Sequence, residues 1–444
     1  MILLKLDNLT FKGGLHIPEF KELSEKCKIT SPSEVEEVII PLSQHVGAPC
    51  EALVKVGDEV LMGQKIGDSS ANLYAPVHSS VSGTVTKIEE RFLLDGSKAT
   101  CVYIKNNHKD EPAYKVLNDN LDSLTKEEII ARVKEAGVVG MGGAAFPAHS
   151  KLNGALTGVD SIILNGAECE PYLTCDHRMM LEWGEKIVEG LRVIMKVTGA
   201  KNGYIGIEDN KPDAIENLRA IVKNYPNLHV ASVKTKFPQG DSYRMVDSIL
   251  GRKVPEGGRT GNVNTLVTNV GTAAAIADAA LRGIPSYERV VTVTGDGVKK
   301  PTNVLARVGT KISDLIKMAD GFNGSPKAIV AGGPMTGYSQ FDGTTPAQKN
   351  TSGLIVLHKD TATEYEVSPC IRCAKCVHAC PVHLLPLNIA AYALAGRFED
   401  TAKYHANACI ACGSCSYICP AHRPLTELVT ASKRELRASA KRAR

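Results

Sequence analysis

Cys370-Ile-Arg-Cys373-Ala-Lys-Cys376-Val-His-Ala-Cys380-Pro381 recurs further on as Cys409-Ile-Ala-Cys412-Gly-Ser-Cys415-Ser-Tyr-Ile-Cys419-Pro420. Each copy is a C-x2-C-x2-C-x3-C-P run, the bacterial ferredoxin spacing, in which the fourth cysteine of each run ligates the other run's cluster. Three thiolates two residues apart wrap a tight loop around one corner of a [4Fe–4S] cube, and a fourth from elsewhere closes the site. The duplication therefore predicts two interlocked clusters. Cys370, Cys373, Cys376 and Cys419 hold one, and Cys409, Cys412, Cys415 and Cys380 the other. Structural zinc takes its ligands in two pairs without a C-P ending, and disulfide frameworks belong to short secreted chains. The runs predict a helical two-cluster, ferredoxin-like domain over 359–425. Within it a helix at 386–395 turns the chain back, and a basic tail follows over 426–444.

Upstream of this domain the composition is that of an ordinary globular chain, 43% hydrophobic and 23% charged. A net charge of +4, with 5% aromatics and one Trp, supplies neither the basic surface nor the stacking platforms of a nucleic-acid partner. Thirteen cysteines, eight of them in the runs, fit a reducing compartment. The opening Met1-Ile-Leu-Leu-Lys-Leu-Asp7 predicts no signal peptide. No run of about 18 apolar residues predicts a membrane span.

Residues 1–110 read as β-rich. Residues 56–67 and 75–85 carry the Gly-Asp and Ser-Gly turns of a lipoyl-like barrel-sandwich. Its intervening tip, 68–74, has no Lys, so a scaffold or docking surface is expected rather than a carrier of a covalent group. After a polar linker at 106–124, Thr125 and Glu128 form a capping box that opens a helix stopped at Gly137. Strands at 161–164, 204–207 and 230–233 then alternate with helices at about 179–198, 212–223, 242–250 and 272–282. This is an α/β domain with a largely parallel sheet, over 120–285. Residues 286–358 read as a β-grasp module with strands at 290–294, 328–331 and 354–357. The fold class is multidomain, α/β and α+β.

Two loops of the α/β domain carry chemistry. Gly140-Met-Gly142-Gly143-Ala-Ala-Phe146-Pro147 is glycine-rich enough for backbone N–H groups to approach an anion. It is not a Walker loop, and a helix stands where a Rossmann fingerprint needs a strand. Asn165-Gly-Ala-Glu168-Cys-Glu170 follows a strand, at the carboxyl end where α/β sheets place ligands. Both loops lie upstream of one-electron clusters, and a flavin interconverts hydride and single-electron chemistry.

At these residues the chain resembles the RnfC family of the Rnf electron-transport complex and, more distantly, the FMN- and NADH-binding subunit of respiratory complex I. The likeness rests on the Gly13-Gly14…His16 turn, the sandwich, Gly142–Pro147 with Lys151, and Asn165–Pro171. It continues through Glu208-Asp-Asn210, Thr268-Asn-Val-Gly-Thr272 and both cysteine runs. Complex I's pattern has Arg, Gly and Asp where this chain has Met141, Ala145 and Ala167. The resemblance implies FMN held by Gly140, Gly142, Gly143 and Phe146, with Lys151 near its phosphate. Asn165, Glu168, Glu170, Thr268 and Asn269 line the flavin, and Glu168 and Glu208 face NAD(H) as catalytic residues. The β-grasp unit corresponds to a soluble-ligand-binding β-grasp (SLBB) domain. The implied protein is a peripheral subunit on the cytoplasmic face of a bacterial membrane. It partners membrane-embedded and ferredoxin-reactive Rnf subunits, and reaches ferredoxin indirectly. The rival readings are an NADH-dependent donor to a soluble reductase, of the proline-reductase-associated type, and a non-enzymatic iron–sulfur wiring scaffold.

Overall fold

Val38, Ile39 and Ile40 are all buried, and their strand seeds the first unit of the computed structural model, which describes residues 6–31, 35–155, 158–358, 360–362 and 365–442. Among the described residues eight strands precede the linker: Ile29–Thr30 (β1), Glu37–Pro41 (β2), Glu51–Ala52 (β3), Glu59–Val60 (β4), Lys65–Asp68 (β5), Val77–His78 (β6), Gly83–Phe92 (β7) and Lys98–Asn106 (β8). Sheets β2-β8-β7-β4 and β3-β5-β6 enclose a core of Val38, Ile40, Ile66, Val77, Val85 and Ile104. This is the expected barrel-sandwich. The segment ahead of β1 lies outside it. Leu15 pairs with Phe237, and the Gly14 N–H donates to the Ala379 carbonyl (3.2 Å), so this segment touches both the α/β and the cluster units.

The α/β unit opens with Lys126–Glu135 (α1). Its Thr125–Glu128 capping box satisfies two N-terminal donors reciprocally. After Ala148–Gly154 (α2), strands Ser161–Gly166 (β9), Asn202–Glu208 (β10), Leu228–Val233 (β11) and Thr265–Asn269 (β12) form a parallel sheet in the order β11-β10-β9-β12. The helix expected at 179–198 is two, Cys175–Glu182 (α3) and Gly184–Thr198 (α4). Trp183 breaks it with a φ of −121°. Pro212–Val222 (α5), Ser242–Leu250 (α6) and Val270–Ala277 (α7) follow, and α7 widens into a π turn over Asp278–Arg282. Helix α6 covers one face of the sheet, and α1, α4, α5 and α7 the other. At Gly190 the α4 and α7 backbones approach so closely that a Cβ would lie 1.9 Å from the Ala273 carbonyl oxygen.

The third unit holds Glu288–Thr294 (β13), Thr302–Arg307 (β14), Ile312–Met318 (α8), Ala328–Ala331 (β15), Tyr338–Gln340 (β16) and Gly353–Leu357 (β17), in the order β1-β14-β13-β17-β15-β16. Its edge strand β1 is donated by the N-terminal segment, so the 286–358 module does not close its sheet alone. The cluster unit follows with Lys375–Ala379 (α9), Pro386–Leu394 (α10), Ser414–Tyr417 (α11) and Leu425–Arg442 (α12). Leu425, Leu428, Val429 and Leu436 fall at helical spacing and pack α12 against Cys376, Cys380, Ile389 and Ala390. The described part of the segment read as a basic tail, 426–442, is thus the last helix of the cluster unit.

Candidate functional site

The two cysteine runs meet as two sites. Cys370, Cys373 and Cys376 lie with Cys419 on the wall of one cavity of about 550 Å³, which also meets Leu387, Tyr392 and Leu425. Cys380 crosses to the other run. It packs against Cys409, and burial raises the Cys409, Cys412 and Cys415 thiols, Cys415 to about 12, with Cys380 close enough to add to each shift. Three thiols buried together ionise only against a cation, which is what iron supplies. Backbone N–H groups already point at sulfur: Arg372 to Cys370 (3.4 Å), Leu384 to Cys380 (3.3 Å) and Ala411 to Cys409 (3.3 Å). The donor sets fit two [4Fe–4S] clusters, and none of the thirteen cysteines is disulfide-bonded.

A second cavity of about 1100 Å³ lies where all four units converge. Its wall takes in Gly142 and Gly143, Asn165, Glu168 and Glu170, and Asn269. It also takes in the Gly332–Gly333 turn of the third unit and Ile410-Ala411-Cys412 of the second cysteine run. The glycine loop is held by α7, the Met141 N–H donating to Thr272 Oγ1 (2.9 Å). Gly142 runs so close to Asn269 that a Cβ would sit 2.8 Å from the asparagine's own, whereas the Gly143 Cβ position is open. Ala145 takes a left-handed φ of 52° where the complex I pattern has glycine.

The acidic loop is built on backbone geometry. Glu168 has φ 49°, and its carboxylate accepts the N–H groups of Asp176 (2.7 Å) and His177 (3.2 Å), satisfying the N-terminus of α3. Asn165 Nδ2 donates to the Gly240 carbonyl (2.7 Å). Asn269 caps α7 with Oδ1 on Gly271 N–H (2.8 Å) and donates from Nδ2 to Asp176 (2.6 Å). Burial and the neighbouring Glu168 push the Asp176 carboxyl up. Glu170 accepts from Met335 N–H (3.0 Å) and Thr336 Oγ1 (2.5 Å), which ties the acidic loop to the third unit. Arg289, 3% exposed on β13, lies on the same wall, and its Nε has no protein partner among the described residues. A glycine cradle, two amide side chains and a buried guanidinium that pairs with Asp176 (3.8 Å) but keeps an unpartnered Nε fit a flavin with an anionic end.

Other sequence-predicted residues stand off the wall. Gly140, Phe146 and Thr268 do not line the cavity, and the Gly140 N–H donates to the Phe146 carbonyl (2.9 Å). Lys151 turns its ammonium onto the Val267 carbonyl, and burial lowers it to about 8. Glu208 is 1% exposed, beside Lys211 Nζ (3.4 Å), and burial raises it to about 7. It does not reach the cavity. Sequence reading missed Arg289, the Gly332–Gly337 loop as a wall, and the stretch from Phe237 to Ser242. The last carried a signal in its Pro-x-Gly-Asp before an α6 capped by Asp241.

Comparison with known proteins follows the same order of units. Family models match as RnfC barrel sandwich hybrid domain (9–109), Nuo51 FMN-binding domain (133–278), SLBB domain (290–339) and 4Fe-4S dicluster domain (362–422). A component of the Na(+)-translocating ferredoxin:NAD(+) oxidoreductase complex of Acetobacterium woodii is 43% identical, over 98% of this chain and 98% of its own. Its counterpart in the proton-translocating complex of Clostridium ljungdahlii is 41% identical, over 85% and 83%. A component of the ion-translocating oxidoreductase complex of Rhodobacter capsulatus is 36% identical, over 90% and 78%.

Proposed function

The chain belongs to the RnfC family of ferredoxin:NAD+ oxidoreductase complexes, and we propose that it is the component at which NAD(H) meets FMN and two [4Fe–4S] clusters. The observation that carries the reading is the single cavity bounded by glycine loop, acidic loop and second cysteine run. When bound, FMN exchanges hydride with NAD(H) and single electrons with the clusters.

The chain's own residues divide that work. Gly142, Gly143, Asn165, Glu168 and Asn269 would hold the flavin, and the Arg289 guanidinium on the same wall would draw its anionic end. Glu170, fixed by Met335 and Thr336, and the 237–242 stretch would shape the nucleotide side. Lys151 and Glu208 act from behind the wall. Cys409, Cys412, Cys415 and Cys380 hold the cluster adjoining the flavin cavity, because residues 410–412 form its wall. Cys370, Cys373, Cys376 and Cys419 hold the outer cluster, and there Cys370 and Cys373 are exposed toward a redox partner. The cavity favours this reading over a wiring scaffold.

Partners are the other subunits of the complex. No helix among the described residues is long and apolar enough to cross a membrane. The chain would sit peripherally on the cytoplasmic face, with ion translocation assigned to membrane-embedded subunits and net flow toward NAD+. A soluble-reductase partner would use the same outer face. The test is cofactor analysis of anaerobically purified protein. One FMN per chain with the iron of two clusters supports the reading, and protein that takes up no FMN on reconstitution overturns it.

A further inference from the structure

Two buried ammonium groups stand behind the acidic loop. Lys21, 4% exposed, comes from the N-terminal segment, and its Nζ donates to the carbonyls of Glu168 (2.8 Å), Glu170 (3.0 Å) and Leu173 (2.6 Å). Those bonds use all three donors of an ammonium. Lys211, fully buried, donates to the carbonyl of Ala167 (2.7 Å) and to Asn210 Oδ1 (2.8 Å), with the Glu208 carboxylate beside it. Four carbonyls of one loop are thereby turned onto two lysines. The same segment grips the loop twice more. The Tyr172 N–H donates to the Glu19 carbonyl (2.8 Å), and the Phe20 ring stacks on Tyr172 at 4.7 Å. Glu168 and Tyr172 both hold left-handed backbone, φ 49° and 68°. Residues other than glycine keep that conformation where surrounding contacts over-determine it.

We infer that Lys21 is a positioning residue for the flavin and nucleotide site: from the N-terminal segment it fixes the left-handed backbone that sets Glu168 and Glu170 on the cavity wall. This rests on the cavity being the flavin site. It makes the segment ahead of the sandwich a working part of the redox centre. An ammonium suits the task because its three donors reach three carbonyls from one point, whereas a planar guanidinium cannot converge in that way.

The experiment compares wild type with Lys21→Met, Lys21→Arg and Phe20→Ala in the full chain. It measures FMN dissociation constant, KM and kcat for NADH with a one-electron dye, hydrogen exchange over 165–175, and iron content. Lys21→Met is expected to weaken FMN and raise KM by about tenfold or more, a factor that corresponds to about 1.4 kcal/mol. Exchange of the loop quickens, while iron content and cluster spectra hold. Lys21→Arg restores part of the affinity. Phe20→Ala, at a half-exposed ring, moves the same quantities the same way by about threefold, and carries the test if Lys21→Met fails to fold. Unchanged FMN affinity, KM and exchange in the variants, with wild type binding FMN, overturn the inference. If wild type itself binds no FMN, the flavin reading fails. Loop exchange then decides for or against the clamp alone.

Discussion

Gly333→Ala tests the tie between the third unit and the acidic loop. A Cβ on Gly333 would lie 2.2 Å from a Glu170 carboxylate oxygen, 2.3 Å from Cδ and 2.5 Å from Glu170 Cβ. The last of these is not the free end of a side chain, so one of the two loops must retreat. Retreat breaks the Met335 N–H and Thr336 Oγ1 hydrogen bonds to the Glu170 carboxylate. Hydrogen bonds to a charged acceptor contribute about 1.5–3 kcal/mol each, so about 3–6 kcal/mol is at stake. Thr336 is exposed and regains water, which places the net effect near the lower end, about 3 kcal/mol. At about 1.4 kcal/mol per tenfold, amide exchange at Met335 should quicken by about 100-fold. The loop also bears on the second cysteine run, where a Cβ on Gly413 would meet the Met335 carbonyl at 2.8 Å. Reduction of the clusters by NADH should therefore slow more than bleaching of the flavin. Met335 exchange within about twofold of wild type would mean that Gly333 does not hold the two loops together.

Crossed ligation predicts that Cys419→Ala removes the cluster of the first run and Cys380→Ala that of the second. Each variant should keep half the iron, with the surviving cluster's spectrum identifying the site. A loss confined to the mutated residue's own run contradicts the crossing. Asn269→Ala removes the α7 cap and the bond to Asp176, and should raise the FMN dissociation constant by about tenfold, read by fluorescence titration. Lys349 is fully buried, with Nζ on the carbonyls of Pro76 (2.8 Å) and Gly137 (2.7 Å), and burial lowers it to about 7. The unfolded chain, with a lysine near about 10.4, holds the extra proton between about pH 7 and 10.4, so this group's stability contribution rises with pH, by up to about 1.4 kcal/mol per unit. Thermal midpoints of wild type minus Lys349→Met at pH 7 and pH 9 should show that rise, and a flat difference contradicts it.

What was legible in the sequence was chemistry with local spacing. The cysteine runs place three of four ligands within seven residues, and duplication supplies the fourth. The parallel sheet was legible for a like reason, since apolar strands such as β9 and helices such as α5 announce themselves in short windows. The cavity wall was not, because Arg289 on β13 and the Gly332–Gly337 loop reach it through tertiary packing. Lys151 and Glu208 lie beside the right loops in sequence, yet Lys151 bonds the Val267 carbonyl and Glu208 pairs with Lys211, and neither lines the cavity. Strand β1, two residues long, has no period to read, and Trp183 interrupts a helix whose apolar periodicity runs on through it.

In this proposal one cavity joins NAD(H) chemistry to the clusters. Anaerobic stopped-flow mixing of the reconstituted chain with NADH tests it most directly. Loss of the flavin band, followed by loss of cluster absorbance in the same molecules, is expected. Clusters that accept electrons from reduced ferredoxin while flavin and clusters stay oxidised under NADH would contradict it.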